Sequence, residues 1–135
     1  PEQSTTPGEP KVGERGAFAV RLAPYLRLKG PVAAGSIRNS AGDTDGEAWG
    51  KRAAWVEYSG PVGGEMVYVS LHDHAENLRH PTWWHARDYG LLAANPFGIH
   101  DFEREPAGTG DFTLPKGERL TQRYSLRVAS SPYGN

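Results

Sequence analysis

Glycine and proline interrupt this chain so often that long helices are not expected. The 135 residues include 17 glycines and 11 prolines, which are residues typical of turns. No segment shows a convincing apolar stripe of helical period. Instead, short stretches alternate apolar and polar side chains, as a strand with one buried face does. We therefore expect an all-β protein, an antiparallel β-sandwich or a jelly-roll-like fold, with few or no helices.

The strongest strand signal is a hairpin in the middle of the chain. Residues 53–59 and 65–71 alternate and are separated by the turn-forming sequence GPVGG. Residues 119–128 alternate almost without a break and predict a half-exposed strand. The side chains expected to face inward there are Leu120, Tyr124, Leu126 and Val128. Shorter strands are predicted within 17–22 and 89–94.

The first residues of the chain differ in composition from the rest. Residues 1–14 are polar and contain three prolines, which predicts a flexible N-terminal segment. Residues 15–135 are of a length that fits a single β domain with one core. Within this domain, residues 35–51 are rich in Gly, Asp and Ser, and we expect them to form a long surface loop.

Composition argues against several classes of partner. Lys and Arg number 15 and Asp and Glu 16, a formal charge of −1, whereas domains that bind nucleic acid are usually strongly basic. No apolar run approaches the roughly 20 residues that span a bilayer. We therefore expect a soluble chain with no nucleic-acid or membrane partner and no targeting segment. The absence of cysteine excludes thiolate metal sites and leaves the location unassigned.

All five histidines fall between His72 and His100, in a segment that favours metal binding or proton transfer. In an extended chain His72 and His74 share one face, a start for a metal site with His85 or Glu76 as a third ligand. The candidate cofactor is then a transition metal: copper, iron or zinc. The alternative is a pair of ordinary hydrogen-bonded histidines.

The sequence WWHARDY suggests a ligand-binding face. If this stretch is extended, its alternate side chains lie together: Trp83, His85, Arg87 and Tyr89. His85 and Arg87 are the candidate catalytic residues, with Trp83 and Tyr89 as ligand contacts, because aromatic faces stack on sugars and arginine grips carboxylates. The following NPFG turn presents Asn95 and His100 beside this strand. A purely structural role for the whole stretch is the alternative.

Several of these stretches resemble the bacterial family known as methane oxygenase PmoA-like, a domain without an assigned function. The resemblance rests on GAFAVRLAPYL (16–26), HDHAEN (72–77), HPTWWHARDYGLLAANPFGIHDF (80–102) and LPKGERLTQRYSLRV (114–128). The family motif falls on His74, Asn77, Trp84, His85, Arg87, Asp88, Tyr89, Asn95 and Phe97. The resemblance adds Asn77 to the candidate ligand contacts.

This resemblance carries expectations about assembly and function. It covers what is the C-terminal half of longer family members, which implies a homodimer or a partner N-terminal half. The leading hypothesis is a carbohydrate-related protein that binds or processes a saccharide or another polar small molecule. The alternatives are a metal-dependent oxidative enzyme that uses the histidines, and a non-catalytic structural half-domain.

Overall fold

The computed structural model of the chain describes residues 17–134 in full, together with the backbone of residues 3–6 and 9–12. These residues form nine strands: β1 (Gln3–Thr6), β2 (Glu9–Val12), β3 (Phe18–Arg21), β4 (Ser36–Asn39), β5 (Trp55–Val62), β6 (Glu65–Asp73), β7 (Trp83–Ala86), β8 (Leu91–Asn95) and β9 (Tyr124–Ala129). The helical elements in this described part are short: two 3-10 turns, Pro24–Leu26 and Asp45–Ala48, and one helix, α1 (Ile99–Phe102). None of its helices is long and apolar enough to cross a membrane.

The predicted central hairpin is confirmed. β5 and β6 pair antiparallel along their whole length, from Trp55 opposite His72 to Val62 opposite Glu65. The turn consists of Gly63 and Gly64, whose φ angles are 60° and 84°. Two consecutive residues with positive φ make the tight turn that matches the twist of a hairpin, and glycine adopts this conformation without strain.

Two antiparallel sheets pack face to face. One has the strand order β4-β5-β6-β9 and the other the order β3-β8-β7. Between them lies an apolar core that includes Val56, Tyr58 and Leu71 from the first sheet and Trp84 and Leu92 from the second. Alternation of side chains along each strand buries one face of each sheet in this way. The expected all-β sandwich with few helices is therefore confirmed.

The sequence prediction for residues 35–51 is wrong in part. This stretch contains β4, which pairs with β5, and the 3-10 turn Asp45–Ala48. Its polar side chains satisfy backbone groups: the side-chain oxygen of Asn39 accepts hydrogen bonds from the N–H groups of Ala41 and Asp43. Asp45 accepts one from Ile37. Local hydrogen bonding of this kind is why Asn and Asp look like loop residues in a sequence.

The strand predicted over 119–128 is shorter, and its inward face is only partly covered. β9 spans Tyr124–Ala129 and pairs with β6. Leu126 and Val128 lie opposite buried Leu71 and Val69, yet they are 53% and 66% exposed. The three-stranded sheet reaches β9 only near its start, where Phe18 stacks on Tyr124 with ring centroids 5.1 Å apart. The prediction that Leu126 and Val128 are buried is therefore wrong.

The stretch for which the sequence predicts a flexible segment, 1–14, includes β1 and β2, which pair antiparallel. The remaining residues of this stretch lie outside those that the structure describes, so its flexibility stays a prediction.

Candidate functional site

A pocket opens at the end of the four-stranded sheet where β5 begins and β6 ends. Its volume is about 390 Å³, which falls within the range of small-molecule sites. Trp55 lies opposite His72 across β5 and β6, and Ser125 lies opposite His72 across β6 and β9. The lining residues are Ala54, Trp55, His72, Asp73, His74, Ala75, His80, Ser125 and Tyr133. The fold thus collects imidazole, carboxylate, hydroxyl and aromatic groups in one place.

Asp73 and His80 form a tight pair at this pocket. Nδ1 of His80 lies 2.6 Å from Oδ2 of Asp73. The Asp73 side chain is fully buried, whereas the His80 side chain is 23% exposed. A carboxylate only accepts hydrogen bonds, so Nδ1 of His80 carries the hydrogen of this bond. The arrangement fixes the imidazole ring at the pocket wall.

The loop between β6 and β7 brings His80 back to Asp73. Oδ2 of Asp73 also accepts a hydrogen bond from the N–H of Thr82 at 3.0 Å. Oδ1 accepts one from the side-chain amide of Asn77 at 2.7 Å. The carboxylate therefore holds the middle and the C-terminal end of the returning loop, and charge-assisted bonds of this kind are the stronger class.

Asn77, which the resemblance suggests as a ligand contact, lies behind Asp73 and does not line the pocket. Its amide nitrogen also donates to the carbonyl of Arg123 at 2.6 Å, and its amide oxygen accepts from the N–H of Arg123 at 2.7 Å. Asn77 thus ties the loop to the segment that leads into β9. The amide of Asn77 is buried. It orients Asp73, and its hydrogen bonds are made to other groups of the protein.

His72 occupies the pocket floor in a neutral state at neutral pH. Burial lowers its pKa below the ordinary value of 6.5, and the neighbouring Arg127 lowers the pKa further, while Glu57 acts in the opposite direction. Nε2 of His72 lies 2.7 Å from Oγ of Ser70. The ring therefore offers hydrogen bonding at the pocket without adding a charge.

Tyr133 forms a wall of the pocket from the segment that follows β9. Its ring centroid lies 4.4 Å from that of His72 and 5.4 Å from that of Trp55. The backbone N–H of Tyr133 donates to Oε2 of buried Glu57 at 2.9 Å, and its carbonyl accepts from the guanidinium of Arg38. Arg38 also pairs with Oε1 of Glu57 at 2.9 Å. The buried carboxylate of Glu57 and the partly exposed guanidinium of Arg38 thus hold this wall in position.

The predicted catalytic residues His85 and Arg87 lie at the other sheet and do not line this pocket. Nδ1 of buried His85 accepts a hydrogen bond from Nε1 of Trp49 at 3.0 Å. The exposed guanidinium of Arg87 lies 5.9 Å from the Trp49 ring centroid and 5.5 Å from that of Tyr89. Both side chains meet the Trp49 ring, so they do share a surface. His85, however, is packed beneath this surface.

Two of the other predicted ligand contacts of this stretch, Trp83 and Asn95, are buried in the protein. Trp83 is buried, donates through Nε1 to the Glu103 carboxylate, and has the guanidinium of Arg52 over its ring at 4.3 Å. Asn95 is fully buried, and its oxygen accepts from the N–H of Phe97. His100 lies outside the pocket, with Nδ1 2.6 Å from the carbonyl oxygen of Glu105. Of these predicted contacts, Tyr89 and His100 remain exposed.

The histidines predicted to bind a metal are not brought together as a set. His72 and His74 both line the pocket, but His85 lies on β7 in the three-stranded sheet. Across the described residues, no group of three or more His, Cys, Asp or Glu side chains is placed to hold a metal ion. Glu76, the other candidate third ligand, is exposed beside Arg123 at 3.9 Å.

Comparison with protein families identifies a group to which the chain can be assigned. The model of the Family of unknown function (DUF6807) matches residues 3–133. The chain belongs to this family. Comparisons with curated proteins and with solved structures give no match. The description of DUF6807 names no activity, so the resemblance to methane oxygenase PmoA-like proteins stays a prediction.

Sequence reasoning missed the residues that complete the pocket of this DUF6807 chain. His80 is seven positions from Asp73, a spacing at which neither a strand nor a helix brings two side chains into contact. The turn-forming residues Asn77 and Pro81 between them are a usable signal, because they indicate that the chain reverses there. Trp55 and Tyr133 are too far apart in the chain for their contact to be read from sequence.

Proposed function

We propose that the pocket between β5, β6 and β9 binds a saccharide or a closely related polyhydroxylated small molecule. The observation that carries the proposal is the combination of two aromatic rings, Trp55 and Tyr133, with the polar groups around them. Aromatic faces suit the apolar C–H faces of sugar rings, while hydroxyl groups need hydrogen-bond partners on the same wall.

The polar groups of the pocket match the requirements of hydroxyl groups. His72 is neutral at neutral pH because burial lowers its pKa, and Ser125 adds a hydroxyl that both donates and accepts. Asp73 is buried behind His80 and its oxygens are occupied by protein donors. The wall therefore offers neutral donors and acceptors, which favours an uncharged polyhydroxylated ligand over a strongly charged one.

The alternative of a metal-dependent oxidative enzyme receives no such support from the geometry. Two histidines of the predicted set line the pocket and the third is on the other sheet. The non-catalytic alternative is distinguished from the saccharide pocket by the binding experiment below.

A binding titration tests the proposal. Neutral mono- and disaccharides are titrated into the protein by calorimetry, and the best ligand is then tested on Trp55→Ala and Tyr89→Ala. We expect Trp55→Ala to weaken binding about tenfold, since an aromatic contact contributes about 0.5–1.5 kcal/mol beyond the area it buries. Tyr89→Ala is the matched control, because it removes an exposed ring from the surface that sequence alone favoured.

The outcomes separate the two surfaces. If Tyr89→Ala weakens binding and Trp55→Ala does not, the saccharide binds at the Arg87 surface and the pocket proposal is wrong. If no saccharide binds the folded wild-type protein at millimolar concentration, the structural half-domain is the better account.

A further inference from the structure

We propose that His80 is a general base in this pocket, and that Asp73 is the residue that positions it. Nε2 of His80 takes a proton from a hydroxyl group placed beside it, either of water or of the bound molecule. The inference rests on the proposed function, because it assigns a chemical step to the same pocket.

The direction of the hydrogen bond to Asp73 determines which ring nitrogen is available. Nδ1 of His80 donates to the buried carboxylate at 2.6 Å, so in the neutral ring Nε2 carries the lone pair. Among the described residues, no hydrogen-bond partner of this Nε2 is found, and the ring lines the pocket. A carboxylate that holds an imidazole in this tautomer is the arrangement by which histidine serves as a base.

The neighbouring histidine has the opposite arrangement. Nδ1 of His74 accepts a hydrogen bond from the N–H of Glu76 at 3.1 Å. In the neutral His74 ring the hydrogen is therefore on Nε2, which makes this nitrogen a donor. One pocket thus holds an imidazole set to accept a proton and another set to donate a hydrogen bond, the pairing that acid–base chemistry on hydroxyl groups needs.

A purely structural role explains the position of His80 less well than a role as a base does. Asp73 already holds the loop through Asn77 and through the backbone of Thr82. These two bonds join the middle and the C-terminal end of the loop to β6 without any contribution from the imidazole. A histidine that binds this carboxylate through Nδ1 and also lines the pocket contributes what a loop anchor does not require.

The step is a proton transfer. The O–H bond of the hydroxyl group breaks, its electron pair stays on oxygen, and an N–H bond forms at Nε2 of His80. The imidazolium produced is stabilised by the adjacent Asp73 carboxylate. With an acyl ester as the reacting partner, the oxygen that has lost its proton forms a bond to the carbonyl carbon, the bond from that carbon to the alcohol oxygen breaks, and His80 returns the proton to the alcohol that leaves.

Hydrolysis of p-nitrophenyl acetate by the full chain is a suitable probe, because water activated by a base attacks its carbonyl carbon. We compare wild type with His80→Gln, Asp73→Asn and the control His100→Gln, which changes a histidine outside the pocket, after confirming that each is folded. We expect His80→Gln to lower the rate above background at least about tenfold. His100→Gln is expected to change it by less than about threefold, because His100 does not line the pocket. Equal rates for wild type and His80→Gln would overturn the proposal.

Long-range proton–nitrogen NMR of the wild-type imidazoles gives a second readout that needs no variant. The proton of neutral His80 is expected on Nδ1, and in Asp73→Asn a measurable fraction should shift to Nε2. A proton found on Nε2 in the wild type would exclude His80 as the base. Saccharide titration of the same samples separates the two claims, since failure to bind counts against the saccharide pocket and unchanged hydrolysis in His80→Gln counts against the base.

Discussion

His72 is the residue whose surroundings most clearly change its chemistry. It lies between Tyr133 and Trp55, and the centroid of its ring is 4.4 Å from that of Tyr133. Burial and the nearby guanidinium of Arg127 disfavour the imidazolium form and lower its pKa. A cation at this position would lose hydration without gaining an adjacent acidic partner, because Glu57 is already paired with Arg38.

The lowered pKa of His72 predicts a pH-dependent stability. The unfolded chain binds a proton at His72 near its ordinary pKa of 6.5, while the folded chain does so only at lower pH. Stability from this residue is therefore complete above about pH 6.5 and is lost as the pH falls through the lowered pKa of the folded state. We expect the free energy of unfolding to fall less between pH 7 and pH 5 in His72→Gln than in wild type. Urea unfolding at the two pH values measures this, and parallel losses in both proteins would contradict the account.

At the scale of residues, the sequence predicts which kinds of side chain form a site better than it predicts where those side chains lie in the fold. The alternation in WWHARDY predicts one shared face for Arg87 and Tyr89, and their side chains are neighbours, with the guanidinium 5.5 Å from the Tyr89 ring centroid. The strand nevertheless ends at Ala86, so alternation does not explain this contact. It does not predict that His85 is covered, because Trp49 arrives from a distant part of the chain to cover it. The Asp73–His80 pair depends in the same way on the path of a loop, which local patterns do not specify.

At the scale of elements, the segment 130–134 completes the pocket by folding over the four-stranded sheet. The contacts that hold it converge on Glu57, which is 1% exposed. Glu57 pairs with Arg38, has Arg127 at 3.9 Å, and accepts the N–H of Tyr133. A carboxylate buried to this extent stabilises the structure only while its partners remain in place.

Glu57→Gln tests whether this ion pair secures the pocket wall. The amide keeps the shape of the side chain but removes the charge that Arg38 and the N–H of Tyr133 face. We expect a loss of about 2–4 kcal/mol in the free energy of unfolding and weaker binding of any pocket ligand. Glu65→Gln, on the exposed start of the same hairpin, is the matched control and should stay within about 0.5 kcal/mol. Equal losses in the two variants would show that Glu57 has no special role.

The sequence predicts elements well where alternation is long and a turn is specified, as in β5 and β6. It fails for β4, whose four residues lie among glycines and acidic residues that resemble a loop. It also overestimates β9, because alternation shows which side chains share a face but not whether another sheet covers that face. Coverage is decided by the length and position of β3, β7 and β8.

At the scale of the whole molecule, the sandwich leaves apolar side chains exposed at the β9 edge of the four-stranded sheet. β9 has a hydrogen-bonded neighbour on one side, β6, and exposes Leu126 and Val128 on the face that is buried elsewhere. Apolar side chains at an open sheet edge are typical of surfaces that associate with another chain. The expectation of a homodimer or a partner N-terminal half stays a prediction.

We propose that the ligand of this protein binds in the pocket at the end of β5 and β6 and not at the Arg87 surface. Proton–nitrogen NMR shift mapping during a saccharide titration tests this claim most directly, because it reports every backbone amide at once. We expect the largest shifts at Trp55, His72–Ala75, His80, Ser125 and Tyr133. Shifts concentrated at Trp49, Arg87 and Tyr89, with the pocket amides unchanged, would contradict it.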